Sequence, residues 1–371
     1  MTTRLMIADS EHDANMLYAT RMFVPDAFVW FEVRGRSYAV MSDLEIDRAR
    51  HEAHVDRVLS LSHYQRQLKR DGVKQPRFTD LLTRVLRDFR VRQVEVPMNF
   101  PVGLAKQLRG IRIAVKPDPF FPEREMKTSA EITSLAKATR LAEEGMRAGI
   151  DLLKRSRIGR DGYLYGRSRT LTSEDVQGVI NATIARLGGV ASRTIVAGGN
   201  QGCDPHEVGH GPLRAHSTII LDIFPRDMRT GYWGDMTRTV VRGRASDGVR
   251  KLYATVGRAQ QWAFQRLREG VNGQDIHGGI QELFMQEGYK TGMVRGRMQG
   301  FFHGTGHGLG LEIHERPRIS IASEVLRAGQ VVTVEPGLYY AGVGGVRLED
   351  VAVIRWNGAR NLTRFPKTLE I

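Results

Sequence analysis

One cysteine, Cys203, is all that this chain of 371 residues carries. A lone thiol excludes an intramolecular disulfide framework and fits a reducing compartment. Without a second Cys, a thiolate site for a soft metal has no support either, and Cys203 reads as a buried or half-buried thiol. No apolar run approaches the ~20 residues that span a bilayer. The start, Met1-Thr-Thr-Arg-Leu-Met-Ile-Ala-Asp-Ser10, lacks the apolar stretch of a secretory signal. A cytoplasmic protein with no membrane partner is therefore expected. Lysine is scarce as well: of 55 basic residues ten are Lys and 45 Arg, against 41 acids, for a net charge of +14. The arginines are scattered, which reads as a coding bias, so nucleic acid is not the expected partner. No Gly-Lys-Ser/Thr closes a glycine-rich stretch, which argues against a phosphate loop.

What is present is the make-up of a globular protein, 41% hydrophobic and 26% charged, long enough for two domains. In the first, residues 1–120, Phe28–Val33 and Tyr38–Met41 flank Arg-Gly-Arg as a hairpin. Leu44–Ala53 and Phe78–Phe89 have helical spacing, and Val91–Val96 and Ile111–Val115 read as buried strands. This is a small α/β domain without a chemical constellation. Lys116-Pro-Asp-Pro-Phe-Phe-Pro, with three prolines in seven residues, reads as an extended linker. In the second domain, residues 121–371, the capping box Thr128-Ser-Ala-Glu131 opens a long helix to about Ser156. A second helix is expected near Glu174–Leu187, and two more over about Val249–Glu269 and Gln274–Glu287. Each helix pair precedes a strand-rich stretch carrying two acids, a plan of two related halves meeting at a shared site.

Those acids are Asp222, ending the apolar run Ser217-Thr-Ile-Ile-Leu221, and Asp235 in Gly231-Tyr-Trp-Gly-Asp235-Met-Thr-Arg-Thr239. The later pair are Glu335 in Thr333-Val-Glu335-Pro-Gly and Glu349 in Gly345-Val-Arg347-Leu-Glu349-Asp. Side chains alternate along a strand, so Asp235 shares a face with Thr237 and Thr239, Thr333 with Glu335, and Arg347 with Glu349. Each acid thus has a polar neighbour two residues away that can hold it. Four carboxylates buried together without cations would be prohibitively unfavourable. Around two divalent metals the same carboxylates lower the pKa of a held water and make a nucleophile near neutral pH.

Between the acid pairs stands His303-Gly-Thr-Gly-His307-Gly-Leu-Gly-Leu-Glu-Ile-His314. Lone histidines are more often packing residues than ligands, but these glycines free the backbone for close approach to a ligand or metal.

These motifs resemble the metallopeptidase family of prolidase, aminopeptidase P and methionine aminopeptidase. The likeness is strong over about residues 125–371, and the N-terminal domain is more loosely similar to the creatinase-type domain of the proline-specific members. The resemblance implies an α/β (α+β) pita-bread catalytic domain of pseudo-twofold halves behind a smaller creatinase-type domain. Asp222, Asp235, His307, Glu335 and Glu349 would bind two divalent ions, with Glu335 also the general base. His303 and His314 would contact substrate, as would His206 in Asp204-Pro-His206-Glu, with His210 and His216 as competitors for that position. Arg347 would orient the Glu349 region. The spacing of Asp222 and Asp235, 13 positions, is two longer than the family's usual interval. The extra residues are expected in a turn over Phe224-Pro-Arg-Asp-Met-Arg229, where Asp227 is a lesser candidate ligand.

The implied activity is hydrolysis of the bond before proline in a proline-containing di- or oligopeptide, by a homodimer. A separate N-terminal domain and the His-x-x-x-His start of the glycine-rich segment favour this branch over methionine aminopeptidase. Oxygen-rich ligation suits Mn²⁺, with Co²⁺, Fe²⁺ and Zn²⁺ as alternatives. A metal-free creatinase-type hydrolase and a non-catalytic binding protein are the competing classes. Retention of all five ligand types argues against both.

Overall fold

The computed structural model describes residues 3–371, which form two compact units that divide between Arg124 and Glu125. In the first, a six-stranded sheet runs in the order Arg57–Ser60, Arg36–Met41, Phe28–Val33, Thr3–Ala8, Gln93–Val96, Arg112–Val115. Strand alternation sends Leu5, Ile7, Val29 and Phe31 to one face and Met6, Phe28 and Trp30 to the other. Helices cover both faces, so these strands read as continuous apolar runs. Leu61–Arg70 and Phe78–Asp88 bury Leu68, Leu82 and Val85 on one side, and Ala14–Thr20 and Ile46–Glu52 bury Met16 and Ala49 on the other.

The proline-rich segment is not a free linker. Phe120 and Phe121 are buried in the first unit, with the Phe121 ring edge-on to Trp30 at 5.6 Å. Two aromatic rings bury more apolar surface than a solvated linker can give up. The second unit accordingly begins at Glu125.

In that unit the Thr128 side chain accepts from the Glu131 backbone N–H at 3.3 Å, while the Glu131 carboxylate accepts from the Thr128 N–H at 2.8 Å. This reciprocal cap starts the helix Ser129–Arg155. It packs on Ser173–Arg186 so closely that a Cβ on Gly149 would stand 2.8 Å from the Ile180 side chain. The pair covers an antiparallel sheet of Ile195–Gly198, Thr218–Ile223 and Met236–Val241. The plan then repeats. Helices Asp247–Phe264 and Gly273–Gln286 back a five-stranded sheet ordered Glu315–Ile319, Gly306–Gly308, Val331–Val334, Asp350–Arg355, Gly358–Asn361. A separate hairpin of Gly337–Tyr340 and Gly344–Arg347 packs against Thr218–Ile223 and Met236–Val241 of the first half.

Residues 224–229 differ from the expected turn. Pro225–Asp227 pairs antiparallel with Gly189–Ala191. Asp227 is buried there, accepting from the Arg229 N–H and the Thr230 hydroxyl. No helix among the described residues is long and apolar enough to cross a membrane.

Candidate metal centre

Antiparallel registry explains how the acids meet. In the first sheet Ile223 faces Met236, so Asp222 and Asp235 flank one end of that strand pair. In the second sheet Val334 faces Asp350, and Glu335 and Glu349 flank the same kind of end. His307 enters from Gly306–Gly308, where a Cβ on Gly306 would overlap the Thr333 carbonyl. Glycine is what lets that strand approach so closely. Asp222, Asp235, His307, Glu335 and Glu349 line one cavity of about 760 Å³, together with His206, His303, His314 and Arg347. Cys203, Asp227, His210 and His216 do not line it.

The polar neighbours act across strands rather than along them. Residues i and i+2 of one strand are about 6.6 Å apart, too far for short side chains to bond. Thr237 accordingly gives its hydroxyl to Glu349 at 2.7 Å, not to Asp235. Thr333 accepts from the His307 backbone N–H at 3.1 Å. Arg347 reaches away from Glu349: its guanidinium donates to Asp222 at 2.6 Å, to the Tyr339 hydroxyl at 2.9 Å and to Thr237 at 3.3 Å.

Tautomers follow from partners that can only accept. His307 Nδ1 lies 3.1 Å from the Gly308 carbonyl, so Nδ1 carries the proton and Nε2 presents a lone pair. That lone pair faces Asp235 and Glu335 oxygens, each at 3.6 Å. His303 Nδ1 donates to the Gly304 carbonyl at 2.8 Å, leaving Nε2 to accept from Tyr339 at 2.9 Å. Arg347, Tyr339 and His303 thus form a one-way chain of donors. The His314 ring stands perpendicular to His307, 4.4 Å between centroids.

Burial drives the electrostatics. It holds the His303 and His307 pKa values down at about 3, aided at His303 by Arg347 and at His307 by His314. His314 is also lowered, by burial, Arg318 and His206. The acids move the other way. Burial pushes Glu335 up to about 7. It holds Asp235 and Glu349 well above the carboxylate range, reinforced at Asp235 by the facing Glu349 and at Glu349 by Glu335.

Neutral imidazole opposite carboxylates, all dry, is an arrangement a cation satisfies. Side-chain donor atoms of Asp235, His307 and Glu349 all lie within 4.8 Å of one another, close enough to share one ion. The Asp222 oxygen not used by Arg347 is buried without a hydrogen-bond partner, a vacancy a second ion would fill. The residues present fit a metal centre.

Residues 133–355 match the sequence pattern of metallopeptidase family M24. The chain belongs to that family. An uncharacterized peptidase of Bacillus subtilis is 32% identical over 67% of this chain and 65% of its own length. An Xaa-Pro dipeptidase of Pyrococcus furiosus is 32% identical over 66% of this chain and 65% of its own. The matched region thus spans just under two thirds of each of these relatives. An X-Pro aminopeptidase structure from Thermotoga maritima superposes at a TM-score of 0.81 over 100% of this chain and 98% of that one. At 22% identity this is a likeness of fold: an M24 pita-bread unit behind an N-terminal α/β domain.

Three features of the cavity were not legible beforehand. Tyr339 sits in Gly337–Tyr340 with nothing in its neighbourhood to mark it as polar. Arg193 and Arg318 also line the cavity. Arg318 pairs with His307 across the strands Gly306–Gly308 and Glu315–Ile319, a register that linear spacing does not record.

Proposed function

We propose that the chain is a dinuclear-metal hydrolase that cleaves the bond before proline at a peptide N-terminus, as an Xaa-Pro dipeptidase or aminopeptidase. The observation that carries the reading is the His307 lone pair facing Asp235 and Glu335 oxygens in a cavity that Asp222 and Glu349 also line. Asp222, Asp235, His307, Glu335 and Glu349 would hold two divalent cations, Mn²⁺ by preference because most donors are oxygen. When bound, these ions supply Lewis acidity and lower the pKa of water. Glu335 would take the proton of the attacking water and return it to the proline nitrogen as the C–N bond breaks. His206, His303 and His314 contact the substrate from the cavity wall, His303 being oriented through Tyr339. Arg347 holds Asp222.

Specificity for proline draws its support from the Pyrococcus relative's activity and from the separate N-terminal unit. A homodimer in a reducing compartment completes the reading, with Cys203 half-buried and unpaired. The test is elemental analysis after reconstitution with Mn²⁺, together with turnover of an Xaa-Pro dipeptide. About two ions per chain with turnover is the expected result. No bound metal with turnover retained would identify a metal-free hydrolase, and neither metal nor turnover a binding protein.

A further inference from the structure

The second unit carries a concavity larger than the candidate metal cavity. A groove of about 1050 Å³ runs between the helix Ser129–Arg155 and the strands Asp350–Arg355 and Gly358–Asn361. Its floor is apolar, from Ile132, Val353 and Leu362, and its rim carries Arg140, Arg355, Arg360 and Arg364. Some surface arginines close on acids, as Arg147 does on Glu144 and Arg258 on Glu287. Among the described residues none of the four rim guanidinium groups has an ion pair. The groove's single acid, Glu143, is spent on the Arg364 backbone N–H. Trp356, 74% exposed, stands at the hairpin tip beside them. Gly358–Asn361 is the last strand of its sheet, so one side of its backbone is open for pairing.

We propose that this groove binds an acidic, extended polypeptide segment of a partner protein, which adds as a strand beside Gly358–Asn361. Main-chain hydrogen bonds would supply affinity. The four arginines would pair with Asp or Glu side chains, whose carboxylates fit the guanidinium fork. The floor would take the alternate apolar side chains. A second copy of this chain, at +14, does not suit an uncompensated cationic rim. Single-stranded nucleic acid would want successive aromatic platforms, and Trp356 is the one aromatic side chain lining the groove.

Three labelled probes test this on the full chain by fluorescence anisotropy: a ten-residue peptide alternating Glu with Val, its Lys counterpart, and a ten-nucleotide oligo(dT). The Glu peptide should bind at least tenfold tighter than either of the others. The double substitution Arg355→Glu with Arg360→Glu should weaken it at least tenfold, and Trp356→Ala more mildly. Bound Glu peptide should also slow amide exchange at 358–361. Circular dichroism and melting temperature of the variants establish that they are folded, and these exposed side chains give no reason for either to change. Tighter binding of oligo(dT), equal binding of the Lys peptide, or undiminished binding by a folded double variant would each overturn the proposal.

Discussion

Removing the metals should give the second unit a stability that falls as pH rises above about 6.5. Asp235 and Glu349 have folded-state pKa values well above the carboxylate range, and Glu335 is at about 7. A raised pKa means the metal-free native protein keeps protons that the unfolded chain has released. That stabilising contribution is complete below the unfolded pKa and is lost as pH climbs through the folded one. His303 and His307, at about 3, and His314, also lowered, act in the opposite sense. Between pH 3 and 6.5 the unfolded chain binds protons there that the native protein refuses, so their contribution grows with pH. Above 6.5 the histidine contribution is complete and the acids alone set the slope, so stability falls as pH rises. From pH 6.5 to 7.0 Glu335 alone accounts for up to about 0.7 kcal/mol of loss, and Asp235 and Glu349 add to it in the same direction. At roughly 2–4 °C per kcal/mol for a unit of this size, that lowers its melting temperature by at least about 1–3 °C. Bound metal, which needs the acids ionised, should abolish the fall. Differential scanning calorimetry between pH 5.5 and 8.0, with chelator and with Mn²⁺, makes the comparison. A chelated protein whose melting temperature holds or rises from 6.5 to 7.5 would refute the reasoning.

Glu335→Gln should lose on the order of 10²–10⁴ in turnover while melting as a folded protein; activity within a few-fold of the parent would place the base elsewhere. His303→Ala and His314→Ala should cut turnover strongly with metal content near the parent's, because neither is assigned to the ions. His307→Ala should lose both, and metal loss from His314→Ala equal to that from His307→Ala would reverse the division of roles. Thr237→Val removes the hydroxyl that Glu349 accepts from and should weaken metal affinity by roughly 10–100-fold, read by competition with a chelating dye. Unchanged affinity would show that Glu349 needs no such support.

The cluster was legible because each acid stands at the end of an apolar run, and a strand end is where a buried carboxylate can face a shared cavity. The helices of the second unit were legible from their caps and periodicity. What escaped depends on which strand faces which. Thr237 and Arg347 were expected to serve the acid two residues along their own strand, yet they serve Glu349 and Asp222. Linear spacing carries no record of that pairing. In the first unit, Leu61–Arg70 buries only Tyr64 and Leu68 among ten residues, too thin an apolar stripe to mark a helix. Phe120 and Phe121 were hidden by the prolines around them, which preclude helix but not burial.

The central claim is metal-dependent cleavage before proline, and one assay meets it directly: the initial rate on Ala-Pro beside Ala-Ala, with Mn²⁺ and then with chelator. The account predicts rapid release of proline with Mn²⁺, Ala-Ala slower by at least 100-fold, and both rates abolished by chelation and restored by Mn²⁺. Equal rates on the two dipeptides, or release of proline undiminished by chelator, would contradict it.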